Sequence, residues 1–164
     1  MQTTFTVRPF KPADLEQVID LNLKCLPENY TNFFFMDLYD RFPEAFIVAE
    51  ENGKVIGYIM SRIEIGLSSF HRFGIAKKGH VISIAVLPEH RRKGIGEALM
   101  QEALRAMLRY KAKECFLEVR VGNTPAVNLY KKLDFKVIRT IGDYYADGED
   151  AYVMNRKIQS DLNP

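Results

Sequence analysis

The sequence predicts one α/β domain built around a single mixed sheet. Its 164 residues suit one hydrophobic core, and an apolar content of 47% excludes a disordered chain. Stretches with the period of a strand alternate along the chain with stretches of helical spacing. The most informative segment is 80–100, where an apolar β-branched run, a basic turn with two glycines and a helix follow one another.

The N-terminal third is predicted to contain a strand and two helices. Phe5 and Val7 alternate with polar residues, which indicates a first strand. Pro12 opens a helix that Pro27 ends. Its buried face is predicted to carry Leu15, Val18, Ile19 and Leu23. A second helix over residues 31–42 is rich in phenylalanine, which we expect in the core or, alternatively, in the wall of a substrate groove.

A hairpin and a loop are predicted to follow. Residues 45–50 and 55–63 are apolar runs joined by a turn that contains Asn52-Gly53, a strong hairpin signal. Residues 64–79 contain several glycines and serines and are predicted to form a loop.

The C-terminal half is predicted to alternate strands and helices. Residues 81–86 form a buried strand that Pro88 stops, and a helix follows. Residues 115–121 alternate as a further strand, and Asn123 or Thr124 caps the next helix. Residues 135–145 and 150–156 are predicted to form a closing hairpin.

The basic turn before the central helix has the composition of an anion site. Arg91, Arg92 and Lys93 supply full charges, and Gly94 and Gly96 let a ligand approach the backbone. The first N–H groups of the helix carry the positive end of its dipole and suit a phosphate. A solvated basic turn is the alternative, since neither GxGxxG nor the P-loop pattern is present.

The motif Arg91-x-x-Gly94-x-Gly96 after a buried strand resembles the acetyl-coenzyme A pyrophosphate loop of the GCN5-related N-acetyltransferases (GNAT). Residues 123–130 resemble the second coenzyme segment of that family, although Asp134-Phe135 replaces the usual Gly-Phe. The resemblance spans about residues 5–158 and implies one GNAT domain over residues 1–164. It also implies a mostly antiparallel mixed sheet flanked by helices, whose central strands splay apart around the thioester.

Three further segments resemble the catalytic subunit of A-type N-terminal acetyltransferases, in particular archaeal stand-alone members and ribosomal-protein-alanine acetyltransferases. These segments are residues 26–30, 117–123 and 144–152. The resemblance implies acetyl transfer from acetyl-CoA to the α-amino group of protein N-termini by direct attack in a ternary complex. A lysine side chain or a polyamine as acceptor is the alternative, and a non-catalytic coenzyme-binding module is a third hypothesis.

The resemblance assigns roles to individual residues. The implied catalytic residues are Glu28, His80, Glu118 and Tyr145. The implied peptide contacts are Leu26, Glu28, Tyr30, Arg120 and Tyr145. Glu118 is expected to accept the amine proton, with His80 as its partner, because a histidine side chain titrates near neutral pH. A solvated strand carboxylate and a structural histidine are the alternatives. Tyr144 is predicted to belong to the core.

Coenzyme contacts are implied for the central strand, the basic turn and the last helix. The residues are Ile84, Ala85, Val86, Arg91, Arg92, Lys93, Gly94, Ile95, Gly96, Glu97, Asn123 and Tyr130. The N–H of Val86 is the expected oxyanion donor. For Tyr130, a place in the core is the alternative.

Composition limits the partners. A net charge of +2 argues against nucleic acid as the main partner. Cys25 and Cys115 have neither metal nor disulfide spacing, and two ligands such as His80 and Glu118 are too few for a metal site. No run is long enough to span a bilayer and no signal peptide is evident, so we expect no membrane partner and a cytoplasmic enzyme. Expected partners are protein N-termini, including ribosomal and nascent chains, and an auxiliary subunit.

Overall fold

A computed structural model describes residues 4–159 and Leu162. These residues form seven strands and four helices. The strands are β1 (Thr6–Pro9), β2 (Phe46–Glu51), β3 (Lys54–Leu67), β4 (Ile75–Val86), β5 (Glu114–Arg120), β6 (Lys136–Ile141) and β7 (Ala151–Lys157). The helices are α1 (Leu15–Cys25), α2 (Asn32–Arg41), α3 (Ile95–Arg109) and α4 (Thr124–Lys132). Across this described part of the chain, no helix has the length and apolar character needed to cross a bilayer.

The strands form one sheet in the order β1-β2-β3-β4-β5-β7-β6. In the described sheet β4 and β5 are parallel, and all other neighbouring strands are antiparallel. The parallel pairing covers only Lys78–His80 against Glu114–Phe116, and beyond His80 the two strands separate. The predicted mixed sheet with splayed central strands is therefore confirmed.

Helices cover both faces of the sheet. Gly57 faces Ile95 and Leu99 of α3. Its neighbour Tyr58 points to the opposite face, where its hydroxyl accepts a hydrogen bond from Asn22 of α1. The sheet is thus buried between α3 on one side and α1 with α2 on the other, which accounts for its long apolar strands.

The predicted loop over residues 64–79 is wrong for most of its length. β3 runs on to Leu67 and β4 begins at Ile75, so only residues 68–74 connect them. Glu114 holds this connection, because its carboxylate accepts hydrogen bonds from the Ser68 hydroxyl and the Ser69 N–H. Exposed apolar side chains on this hairpin and the glycines near its tip obscured the strand pattern in the sequence.

Two smaller predictions are also corrected. Leu23 is 59% exposed, and the buried positions of α1 are Val18, Leu21 and Asn22, because the helix packs with that side against β3 and β4. The closing hairpin has a longer connection than predicted, since β6 ends at Ile141 and residues 142–150 form an irregular loop before β7.

A β-bulge in β4 determines where His80 points. Met60 pairs with Ser83 and Ser61 pairs with Val81, so Ile82 is an extra residue in β4. An extra residue reverses the alternation of the side chains that precede it. Gly79 therefore faces α3, and His80 faces the side of the sheet that α1 and α2 cover.

Candidate active site

A cleft of about 680 Å³ opens where β4 and β5 separate. It is bounded by the loop after α1, by the two strands and by the loop between β6 and β7. Ten predicted site residues line it: Leu26, Glu28, Tyr30, His80, Ile84, Glu118, Arg120, Asn123, Tyr130 and Tyr145. The fold thus brings together residues that are separated by more than 100 positions in the sequence.

His80 lies at the base of the cleft and is held on three sides. Its Nε2 is 2.7 Å from Oε2 of Glu118, and its Nδ1 is 2.7 Å from Oε2 of Glu64. Its ring stacks on Phe116, with 4.1 Å between the ring centroids. The predicted partnership of His80 with Glu118 has the geometry of a hydrogen bond, whereas Glu64 was assigned to a loop and missed.

Arg120 joins the two loops that border the cleft. Its Nη2 is 2.6 Å from Glu28, and its Nη1 is 2.8 Å from Asp147 and 2.9 Å from Glu149. Its guanidinium also lies over the ring of Tyr145, 4.1 Å from the centroid. Glu28 and Tyr145 are therefore fixed relative to each other by one side chain of β5.

The tyrosines of the cleft are held as neutral phenols. Burial, together with the charge of Glu28, raises the pKa of Tyr145, and burial also raises the pKa of Tyr30. Tyr144 was predicted in the core but is 45% exposed and packs edge-on against Tyr145. Burial and the charge of Glu118 raise the pKa of Tyr144. All three phenols therefore stay protonated at neutral pH and can donate hydrogen bonds.

In the described sheet, the edge of β4 that faces the gap has no partner strand beyond His80. Leu87 donates its N–H to Ile56 of β3, so the N–H of Val86 and that of Ile84 point to the opposite edge. By the same alternation the backbone groups of Ala85 point toward β3 and away from the gap. This differs from the prediction that these groups contact the coenzyme. The Val86 carbonyl on this edge accepts from Cys25 Sγ at 3.7 Å and from Arg91 Nε at 3.1 Å.

The start of α3 retains the features of an anion site. Gly94 occupies the N-cap in the left-handed conformation, with φ of 81°, and so offers no side-chain cap. The first backbone bond into the helix is Ala98 N–H to Gly94, which leaves the three preceding N–H groups without a helical partner. Those groups belong to Ile95, Gly96 and Glu97. They fit the diphosphate of a coenzyme, with Arg91, Arg92 and Lys93 adjacent.

The remaining coenzyme candidates differ in how they are placed. The Asn123 side chain caps α4 by accepting from the Ala126 N–H at 3.3 Å, so its amide nitrogen remains for a ligand. Tyr130 is buried to 6% exposure and lines the cleft, which agrees with both of the roles considered. The Glu97 side chain pairs with Lys132 at 2.9 Å.

Asn22 supports the loop 26–30 from below and was missed in the sequence. It is 1% exposed, and its Nδ2 donates to the Glu28 carbonyl at 2.9 Å and to Tyr58 Oη at 3.1 Å. Its Oδ1 accepts from the Tyr30 N–H at 3.3 Å. The sequence did contain a signal, because Asn22 interrupts the apolar stripe of Leu15 and Val18 at helical spacing.

Replacing Asn22 by alanine is expected to loosen this loop. The Glu28 carbonyl and the Tyr30 N–H would lose a buried partner, which costs about 1–3 kcal/mol of unfolding free energy. The KM for the amine substrate should rise while the KM for acetyl-CoA stays unchanged. Thermal unfolding and steady-state kinetics measure the two effects. Asn32→Ala, at the exposed start of α2, is the matched control, and equal behaviour of both variants would contradict the role of Asn22.

Neither cysteine is suited to form a covalent intermediate. Cys115 is fully buried, and burial raises the pKa of its thiol to about 12. Cys25 lies at the end of α1 beside the gap, but burial raises the pKa of its thiol as well. Both remain protonated at neutral pH. In the described part of the chain, no three His, Cys, Asp or Glu side chains are grouped as metal ligands.

Comparison with protein families shows the family of this chain. Residues 15–135 match the model of the acetyltransferase (GNAT) family. The chain belongs to this family. The predicted membership is confirmed, and with it the predicted acetyltransferase class.

Proteins similar to this chain include archaeal and eukaryotic acetyltransferases. An N-alpha-acetyltransferase of Sulfurisphaera tokodaii is 51% identical over 152 residues, which cover 92% of this chain and 91% of the relative. Ard1 from Thermoplasma volcanium is 32% identical with a TM-score of 0.82, covering 96% of this chain and all of that one. A chain of the NatB acetyltransferase complex, solved with CoA and MES, is 28% identical with a TM-score of 0.79, and the match covers 94% of this chain and 99% of that one.

Proposed function

We propose that this acetyltransferase transfers the acetyl group of acetyl-CoA to the free α-amino group of protein N-termini. The observation that carries the proposal is the cleft itself. It places the His80–Glu118 pair below two loops that Arg120 ties together through Glu28, Asp147 and Glu149. The names of the relatives support the same acceptor.

The available base suits an α-amine better than a lysine side chain. An α-amino group has a pKa near 7.7–8.0, so roughly a third of it is neutral at pH 7.5, against about one in a thousand for lysine. A carboxylate–imidazole pair is a strong enough base for the α-amine, but it is too weak a base for the amine of a lysine side chain. A free chain end is the acceptor class that this site can activate at neutral pH.

The charges around the cleft favour an incoming ammonium group. Five carboxylates lie in or around it, those of Glu28, Glu64, Glu118, Asp147 and Glu149. Two guanidinium groups, those of Arg62 and Arg120, and the ammonium group of Lys78 oppose them. The excess of negative charge attracts the protonated chain end before it loses its proton. The stacked rings of Tyr30 and Phe34, with centroids 4.9 Å apart, offer an apolar wall to the first side chain.

Different residues of the cleft carry out the two proton transfers of the proposed reaction. Glu118, with His80, takes the proton of the amine as the amine attacks the thioester carbonyl. The N–H of Val86, on the open edge of β4, stabilises the oxyanion of the tetrahedral intermediate. In this proposal Tyr145, held neutral by its raised pKa, protonates the departing thiolate, and with Tyr30 it positions the peptide backbone.

Acetyl-CoA is the proposed acetyl donor, and NatB, a family member that is 28% identical, was solved with CoA bound. Arg91, Arg92, Lys93 and the N–H groups at the start of α3 would hold its diphosphate. Ile84, Val86, Asn123 and Tyr130 would hold its pantetheine arm. We further propose that ribosomal and nascent chains in the cytoplasm are the substrates, with an auxiliary subunit as a partner, since NatB is itself a complex.

A peptide panel tests the acceptor. Peptides that begin with Ser, Ala, Met-Leu and Met-Glu are compared with N-blocked versions that carry an internal lysine, and with spermidine, by release of CoA from acetyl-CoA. We expect turnover on the free N-termini alone. Turnover only on blocked peptides or spermidine would favour the small-amine or lysine alternative. Binding of acetyl-CoA without any turnover would favour a non-catalytic module.

A further inference from the structure

The imidazole of His80 is bound at both ring nitrogens, yet the proposed reaction uses only its contact with Glu118. Arg62 of β3 and Phe116 of β5 are the residues directly opposite His80 in the sheet. Glu64 lies two residues beyond Arg62, and Glu118 lies two residues beyond Phe116. The two carboxylates therefore reach the imidazole from opposite sides, each at 2.7 Å. This symmetry fixes the plane of the ring.

The bond to Glu64 decides which nitrogen carries a hydrogen. Burial by itself would raise the pKa of Glu64, but hydrogen bonds from Arg62 and His80 outweigh it and the pKa is lowered. Glu64 is therefore ionised at neutral pH and can only accept a hydrogen bond. Because its partner is Nδ1 of His80, Nδ1 must carry the hydrogen. Nε2 is then the nitrogen that exchanges a proton with Glu118.

We propose that Glu64 is a positioning residue that keeps the proton on Nδ1 of His80 and thereby directs Nε2 to Glu118. The proposal rests on the proposed function, which gives the His80–Glu118 pair its role. The attacking amine loses one proton to the His80–Glu118 pair, with Glu64 as counter-charge. Tyr145 gives a proton to the departing thiolate, and after product release the pair returns its proton through solvent to Tyr145. The buried carboxylate of a serine-protease triad orients its histidine by the same logic.

Other charged or titratable groups surround the same imidazole and its partners. Arg62 comes from β3, Lys78 from β4 lies over the Phe116 ring at 4.8 Å, and Glu118 comes from β5. Tyr144 faces Glu118 from the loop between β6 and β7. All of these remain when Glu64 is replaced by glutamine. A change in the pH dependence of that variant therefore reports the charge of Glu64.

Glu64→Gln is the first test, because its amide oxygen still accepts the Nδ1 hydrogen while the charge is lost. Removing a negative charge weakens proton binding by the pair. The acidic limb of the kcat profile should therefore move to lower pH by about one unit. The plateau should fall, since the base is weaker, while both KM values stay unchanged. Glu102→Gln on α3, which pairs with Arg105 away from the cleft, is the matched control. A profile that superimposes on the wild-type profile would overturn the proposal.

The second test does not depend on activity. The chain has three histidines, so ¹H–¹⁵N spectra of the rings are simple, and His80→Gln identifies the signals of His80. We expect a protonated Nδ1 in the wild type and a hydrogen moved to Nε2 in Glu64→Ala. Unchanged ring signals in Glu64→Ala would overturn the proposal. If that variant does not fold, Glu64→Gln still decides through the pH profile. Failure of the wild type on every free N-terminus would instead overturn the proposed function.

Discussion

Replacing Glu118 by glutamine is expected to lower kcat by about 10²–10⁴-fold, the usual contribution of a general base. The amide keeps the size of the side chain and can donate a hydrogen bond from its NH₂ group to Nε2 of His80, but it cannot take a proton. The KM for acetyl-CoA and the thermal stability should change little, because Glu118 lines the cleft and is not part of the buried core. Steady-state kinetics on a Ser-initiated peptide measure the effect.

Glu102→Gln is again the matched control, since it removes one carboxylate from a surface ion pair outside the cleft. The control should retain wild-type kinetics. If Glu118→Gln keeps activity close to that of the control, Glu118 is not the base, and Glu28 becomes the next candidate because it borders the same cleft.

A large loss of stability is expected from Gly79→Ala. Gly79 lies directly before His80, on the face of β4 that packs against α3. A Cβ atom there would lie 2.2 Å from Sδ of Met107, whose side chain is fully buried. Overpacking of this kind costs about 1–3 kcal/mol of unfolding free energy. For a chain of this size the melting temperature falls by about 2–4 °C per kcal/mol. Thermal unfolding of the variant and the wild type measures this change in melting temperature.

A double-mutant cycle with Met107→Ala identifies the cause. In that background the clashing atoms are absent, so the added methyl group should no longer destabilise the protein. Gly66→Ala in the same hairpin is the control, because its Cβ would meet only Lys78 Cδ at 3.8 Å. A cost for Gly79→Ala that persists without the Met107 side chain would contradict the packing explanation.

Local patterns predicted the elements that depend on neighbouring residues. The Asn52-Gly53 hairpin, the alternation of β5 and the cap of α4 are determined within a few positions, and the structure has all three. The resemblance to the family supplied the residues from the basic turn and the loop 26–30. Its role assignments remain predictions for mutagenesis.

The elements that were missed depend on partners far away in the sequence. The hairpin over residues 64–79 is held by Glu114, so its strands could not be predicted from its own glycines and serines. Tyr144 was predicted in the core, yet the loop that carries it turns toward the cleft.

By itself, the sequence determined the family, the mixed sheet and the basic turn at the start of α3. These follow from motifs and periodicities that are local and independent of the rest of the chain. Only the tertiary structure decided the surroundings of His80. One extra residue at Ile82 turns His80 toward the cleft, and β3 and β5 then bring Glu64 and Glu118 to its two nitrogens. Strand register and the bulge are set by packing over the whole sheet, which no local pattern records.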